Sequence, residues 1–245
     1  MSIGFYIAGS AGQMAQHKLN DISHNLANVN TTGYMANRSS FTTELSEQMG
    51  GNSTQQSAAF AKFGNQFIAM EEGSIKTTGN DLDFAIQGNG FFRVALPDGS
   101  EAYTRAGNFK LDANGMLLTQ GGQSVLDSGG SAIQLQAGHI TANQEGALFV
   151  DGNRMADLGL VQIKDATKIE KVGDALLKTP ADNINTDSAK MTVHQGSLEG
   201  SNVNAILAMT EMIDTMRSYQ STMKVVEQFN QQASLLNDRV GRIQG

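Results

Sequence analysis

The 245-residue sequence has no cysteine, no tryptophan and only two prolines, Pro97 and Pro180. Without cysteine there can be no disulfide, no thiolate nucleophile and no cysteine-ligated zinc site. The compartment stays open, because a chain that crosses an oxidising space without forming bridges would look the same. Basic residues are also scarce, with 17 Lys and Arg against 24 Asp and Glu and a net charge of −7. A nucleic-acid binder needs a basic face, and none is visible. No window approaches ~18 apolar residues, so no helix is expected to span a membrane. The first ten residues, Met1 to Ser10, lack a basic segment and a long apolar run, so a cleaved signal peptide is not expected either.

Glycine is unevenly placed. Of 27 glycines, 19 lie between Gly64 and Gly200, and both prolines lie there too. Two ends nearly free of breakers around a Gly-rich middle read as a β domain inserted between two helices. From Ser201 onward no Gly occurs until Gly241. Apolar residues recur there at Ile206, Met209, Ile213, Met216, Met223, Val226, Phe229, Ala233, Leu236, Val240 and Ile243. Steps of three and four over about forty residues predict one continuous helix with a narrow apolar seam, roughly 60 Å long. A two-per-heptad seam calls for a partner helix, and it slips by one position after Met223, where the supercoil or the partner should change. Ser201 or Asn202 is the expected N-cap. At the other end Ile7, Ala11, Ala15, Leu19, Ile22, Leu26 and Val29 predict a helix over about 4–28. Asn28-Val29-Asn30-Thr31-Thr32-Gly33-Tyr34 then stops it, with Gly33 free to take a positive φ.

The expected fold class is α+β: long N- and C-terminal helices packed as a coiled-coil stem, with an inserted antiparallel β domain. The expected domains are a discontinuous stem (1–34 and 201–245), an extended and poorly ordered connector (35–74) and the β domain (75–200). In that middle, strands are expected at 82–87, 91–96, 102–105, 108–111 and 116–119, separated by Gly88-Asn89-Gly90, Pro97-Asp98-Gly99-Ser100 and Asp112-Ala113-Asn114-Gly115. These are hairpin turn residues. Short strands should follow at 133–136, 147–150, 158–164, 175–178 and 190–195. No strand alternates with a helix, so the sheet should be antiparallel.

Each candidate for chemistry has a plainer reading. Asp112-Ala113-Asn114-Gly115 resembles part of a calcium loop, but position twelve is Gln123, which cannot supply the bidentate carboxylate, so a hairpin turn fits better. Gly88-Asn89-Gly90 lies between two strands with no helix after it and is not a dinucleotide loop. His17 and His24 sit two helical turns apart, too far for a compact metal site. His139 and His194 have no triad partners. Glu71-Glu72 reads as a solvated rim, and Asp81 with Asp83 would share a strand face. The methionines Met209, Met212, Met216 and Met223 could line a lipid or cofactor groove, but Met better suits a seam that meets several non-identical partners. No catalytic, metal or cofactor-binding residue is expected, and no cofactor.

The two ends together resemble the bacterial flagellar axial proteins, the basal-body rod and hook group. The residues that carry the resemblance are Leu26 to Tyr34 (LANVNTTGY) and Leu198 to Asn204 (LEGSNVN). Leu82 to Phe92 (LDFAIQGNGFF) and Tyr103 to Phe109 (YTRAGNF) resemble the rod proteins' β-domain signatures. Residues 36–75 match least. The short middle excludes the large hook protein. Ala208 to Ile213 and Met223 to Val226 look more like the proximal-rod form, while Met216-Arg217-Ser218-Tyr219-Gln220 departs from the distal-rod pattern.

The resemblance implies a non-enzymatic structural subunit of the basal-body rod. It would polymerise through its terminal helices into the axial drive shaft that transmits torque, spanning the periplasm after export without a cleaved signal. The implied partners are further copies and other rod proteins, with hook-side proteins and surrounding rings also to be considered. The implied assembly motif is Asn28, Val29, Asn30, Thr31, Gly33 and Tyr34 with Ser201, Asn202, Val203 and Asn204. The expected helix interface is Leu19, Ile22 and Leu26 with Ile206, Met209, Ile213, Met216, Met223, Val226, Phe229 and Leu236. The competing readings are a distal-rod protein, a cell-wall-binding module on a coiled-coil stem, and an enzyme with a β-barrel site on a helical dimer stalk.

Overall fold

The computed structural model describes residues 3–46, 58–173, 175–186 and 191–241. The chain forms two compact units, one from Met1–Leu26, Arg38–Gln66 and Ala205–Gly245, the other from Ala27–Asn37 and Phe67–Asn204. In chain order the elements begin with helix α1 (Ile3–Ala27), then strands β1 (Asn37–Ser46), β2 (Ala58–Ile68), β3 (Ile75–Thr77), β4 (Phe84–Gln87), β5 (Gly90–Ala95) and β6 (Glu101–Thr104). Short strands follow as β7 (Lys110–Leu111), β8 (Leu117–Leu118), β9 (Ser124–Val125), β10 (Ile140–Ala142), β11 (Ala147–Val150), β12 (Asn153–Asp157) and β13 (Leu160–Ile163). The last strands are β14 (Glu170–Lys171), β15 (Leu176–Lys178), β16 (Ile184–Asn185), β17 (Thr192–Gln195) and β18 (Ser197–Glu199), before helix α2 (Ala205–Gly241). The architecture is thus α+β, with a helix at each end and the β domain between them.

In the first unit α1 and α2 run antiparallel. Lys18 pairs with Glu211 at 2.7 Å. A Cβ placed on Gly12 would lie 3.7 Å from the Thr222 methyl, and one on Gly4 3.1 Å from the Phe229 ring. Small residues make this approach possible: Ala8 and Gly12 on α1, and Ala208 and Thr215 on α2, are buried. Thr210 and Thr222 spend their hydroxyls on the carbonyls of Ile206 and Ser218, one turn back. The helix begins at Ala205, so Asn204, rather than Ser201 or Asn202, precedes it; both of those side chains are used elsewhere.

The span expected to be a poorly ordered connector carries two long paired strands, β1 and β2. No short turn signal marks this pairing, and its residues are mostly polar and small, so alternation is hidden. Thr and Phe within the strands nevertheless favour a pleated chain. Asp21 on α1 accepts hydrogen bonds from Ser39 on β1 and, at 2.9 Å, from Gln66 on β2.

The second unit is antiparallel throughout. A nine-stranded sheet runs β14-β15-β6-β5-β9-β8-β7, with β13 on β5 and β16 on β13. Beside it are a three-stranded sheet, β10-β11-β12, and two pairs, β17-β4 and β18-β3. One apolar core gathers Phe84, Phe92, Phe109, Leu117, Leu148 and Val193; a second gathers Met35, Ile68, Phe91, Tyr103, Val161 and Leu177. Residues 133–136, expected as a strand, instead make a single isolated bridge, between Gln134 and Met116. The Asp112 turn is a hairpin turn: its carboxylate accepts from the amides of Asn114 and Met116, and Gly115 takes φ +78°.

Candidate assembly site

The expected assembly motif is brought together within the second unit. After α1, the Thr31 amide donates to the Asn28 carbonyl at 3.1 Å and its hydroxyl to the Asn28 side chain at 2.9 Å. This closes the turn that ends the helix. Gly33 then adopts φ +66°, and a Cβ there would overlap the backbone nitrogen of Ala106. Only glycine meets both demands. Its amide donates to the carbonyl of Glu199 at 2.9 Å, so the chain leaving α1 is joined to the chain approaching α2.

Asn202 acts as the staple between them. Its amide nitrogen in the backbone donates to the Tyr34 carbonyl, and its side-chain oxygen accepts from the Ala36 amide at 2.8 Å. Its side-chain nitrogen donates to the carbonyls of Ala69 and Glu71 at 2.9 and 3.0 Å. One amide group therefore satisfies three backbone groups on two other segments, which an apolar side chain could not do. Ser201 accepts from the Val203 amide at 3.2 Å. Val29 and Val203 are half-buried, while Asn30 and Asn204 face solvent. Tyr34 is buried under the Lys171 ammonium, 4.0 Å from its ring, and that ammonium donates to the Met35 carbonyl at 2.7 Å.

Under the junction lies a buried ion pair. Arg105 and Glu199 meet at 2.8 Å, 1% and 3% exposed. The other Glu199 oxygen accepts from the Gly73 amide at 2.8 Å, and the other end of the guanidinium donates to the Gly88 carbonyl at 2.7 Å. The guanidinium also lies 5.0 Å from the Phe91 ring centroid. Neither Arg105 nor Glu199 stands out within the matched sequence stretches. Each looks like a surface charge until its partner, 94 positions away, is seen.

The helix residues distribute differently. Ile22 is buried and Leu19, Leu26, Val226 and Phe229 are half-buried. Ile206, Met209, Ile213, Met216 and Met223 are exposed, from 43% at Met223 to 77% at Ile206. The Leu236 side chain lies outside the described residues. The face of α2 turned inward is instead the one with Ala208 and Thr215.

The residues weighed for chemistry do not converge on one site. Asp83 is held by Thr78 and Asn80, while Asp81 lies 3.3 Å from an exposed His139. His194 contacts Gln87 at 3.0 Å. Among the described residues no group of three or more His, Asp or Glu is placed to hold a metal, and no helix is long and apolar enough to cross a membrane.

Three family models match the chain. Residues 5–34 match "Flagella basal body rod protein", 85–150 match "Flagellar hook protein FlgE/F/G D1 domain", and 194–239 match "Flagellar basal body rod FlgEFG protein C-terminal". A flagellar basal-body rod protein FlgF of Mesorhizobium japonicum is 33% identical, with 93% of each chain covered. The chain belongs to the flagellar basal-body rod protein family. Another relative, a FlgF of Caulobacter vibrioides, is 30% identical over 99% of this chain and all of its own. A FlgG of Agrobacterium fabrum is 31% identical over 94% of this chain and 97% of its own. The rod protein is a structural subunit of the flagellar basal body, and the comparisons lean to the FlgF type. Each matched stretch contributes to the junction: Gly33 from the first, Arg105 from the second, Glu199 and Asn202 from the third.

Proposed function

We propose that this rod protein polymerises through α1 and α2 into the axial shaft of the basal body, in its proximal part, and transmits torque along it. The exposed apolar stripe Ile206, Met209, Ile213, Met216 and Met223 carries this reading. A contiguous apolar strip left in water by a single chain marks a surface for a partner. Fully covering such a side chain is worth up to ~1.5–3 kcal/mol, so the five together favour association with a partner. In the shaft the helices pair as coiled coils with neighbouring copies and other rod proteins. The subunit's role in this reading is structural rather than enzymatic. A distal position is the second reading, favoured by the relative named FlgG that matches nearly end to end.

The test is Ile213→Asp and Met216→Asp, made separately in cells that depend on this chain for swimming. Both variants should fold, because the residues are exposed, and both should fail to enter isolated basal bodies. Swimming cells with normal incorporation would overturn the reading.

A further inference from the structure

The first unit carries a second feature on the far side of α2. A groove of about 520 Å³ runs between α1 and α2, floored by Ala11 and Ala15 on one helix and by Thr215 and Ser218 on the other. Glu211 and Asp214 form its acidic rim, with Lys18 bound to Glu211. Thr215 and Ser218 follow Ile206 and Met209 by nine positions. Nine residues are two and a half helical turns, so groove and apolar stripe lie on opposite faces of the same helix.

Building on the rod reading, we propose that the groove is the socket for the α2 stripe of a second copy of this chain. Three features select that occupant. The floor of the socket is made of small side chains, with Met14 and Lys18 also lining it, where the stripe offers the large apolar Met209, Ile213 and Met216, the methionines being adaptable in shape. Arg217 and Lys224, four and eleven positions after Ile213, border the stripe on one side, and the acidic Asp214 borders the socket. Finally, knob and socket face opposite ways, so one copy cannot satisfy itself and two copies cannot satisfy each other through a two-fold axis. A contact of this kind is heterologous and repeats without closing, as an axial filament requires.

The absence of cysteine makes the test direct. In the full-length chain, Met209→Cys and Ser218→Cys are combined, and assemblies in swimming cells and in concentrated purified protein are treated with a short thiol–thiol crosslinker. The two thiols point apart and cannot join within one chain. The double variant should give a ladder of dimers, trimers and longer products, while each single variant stops at monomer or dimer. Arg217→Asp should weaken the ladder about tenfold, and adding Asp214→Arg to the same chain should restore it. Normal incorporation into basal bodies without a ladder would overturn the socket and leave the rod reading standing. Crosslinks only to a different rod protein would overturn the choice of a second copy. Loss of all assembly by the wild-type chain would overturn both readings. Failure of the charge reversal to restore the ladder would overturn the charge pairing that selects a second copy as the occupant.

Discussion

Arg105 and Glu199 are joined by a buried ion pair of 2.8 Å although 94 positions separate them. The pair ties the β6 end of the large sheet to the last strand before α2, and through the Gly73 amide to the segment after β2. Removing one partner would leave a charge buried without its counter-ion, a loss of about 3–5 kcal/mol. Arg105→Ala and Glu199→Ala should each lower the urea midpoint by that measure. Arg105→Met with Glu199→Leu should recover much of it, because no orphaned charge remains. Equal losses in the single and double variants would show that packing, not charge, governs the site.

Gly33 gives a sharper contrast. Both Gly33 and Gly79 have positive φ, +66° and +75°, but a Cβ at Gly79 meets nothing within 4 Å, whereas at Gly33 it meets the Ala106 backbone. Gly79→Ala should cost only the conformational penalty, about 1–2 kcal/mol. Gly33→Ala should cost clearly more, and amide exchange should rise at Gly33 and Tyr34. Equal midpoints for the two variants would mean that the close approach at Gly33 is relieved without cost.

Asn202 can be tested through the groups it serves. Asn202→Ala strands the Ala36 amide and the carbonyls of Ala69 and Glu71. A loss of about 1–3 kcal/mol is expected, since hydrogen bonds left unmade at partly buried polar groups are costly. Asn202→Asp keeps the acceptor for Ala36 but loses both donations, so the Ala36 amide should stay protected in that variant and exchange quickly in Asn202→Ala. Identical exchange at Ala36 in both would sink the staple.

Alkaline pH offers another handle. Burial, reinforced by the Glu101 carboxylate beside it, pushes the Tyr103 phenol up to about 12 from its usual 10. The fold favours the neutral phenol, so this contribution is whole below pH 10 and disappears as pH rises through 12. Stability followed by denaturant titration should hold to about pH 10 and fall between 10 and 12. Tyr103→Phe should flatten that fall. A phenol that titrates at 10 in the native protein, read by its ultraviolet absorbance, would contradict the assignment.

The sequence alone determined the two terminal helices, the Asn-Gly and Asp-Gly turns of the middle and the family. Each of these is written locally: steps of three and four residues, the lack of breakers, and glycines where φ must be positive. It did not reveal the strands β1 and β2, whose polar residues show no alternation, nor which face of α2 turns inward. By apolar count the inward face should hold Ile206, Met209, Ile213 and Met216, yet Ala208 and Thr215 occupy it. Close approach of α1 at Gly12 rewards small side chains and leaves the larger ones of the stripe outside, whereas Gly4 makes room for the Phe229 ring. The Arg105–Glu199 pair was equally hidden. Burial of a charge depends on a counter-charge that only the folded chain brings near, and no local pattern announces a partner at that distance.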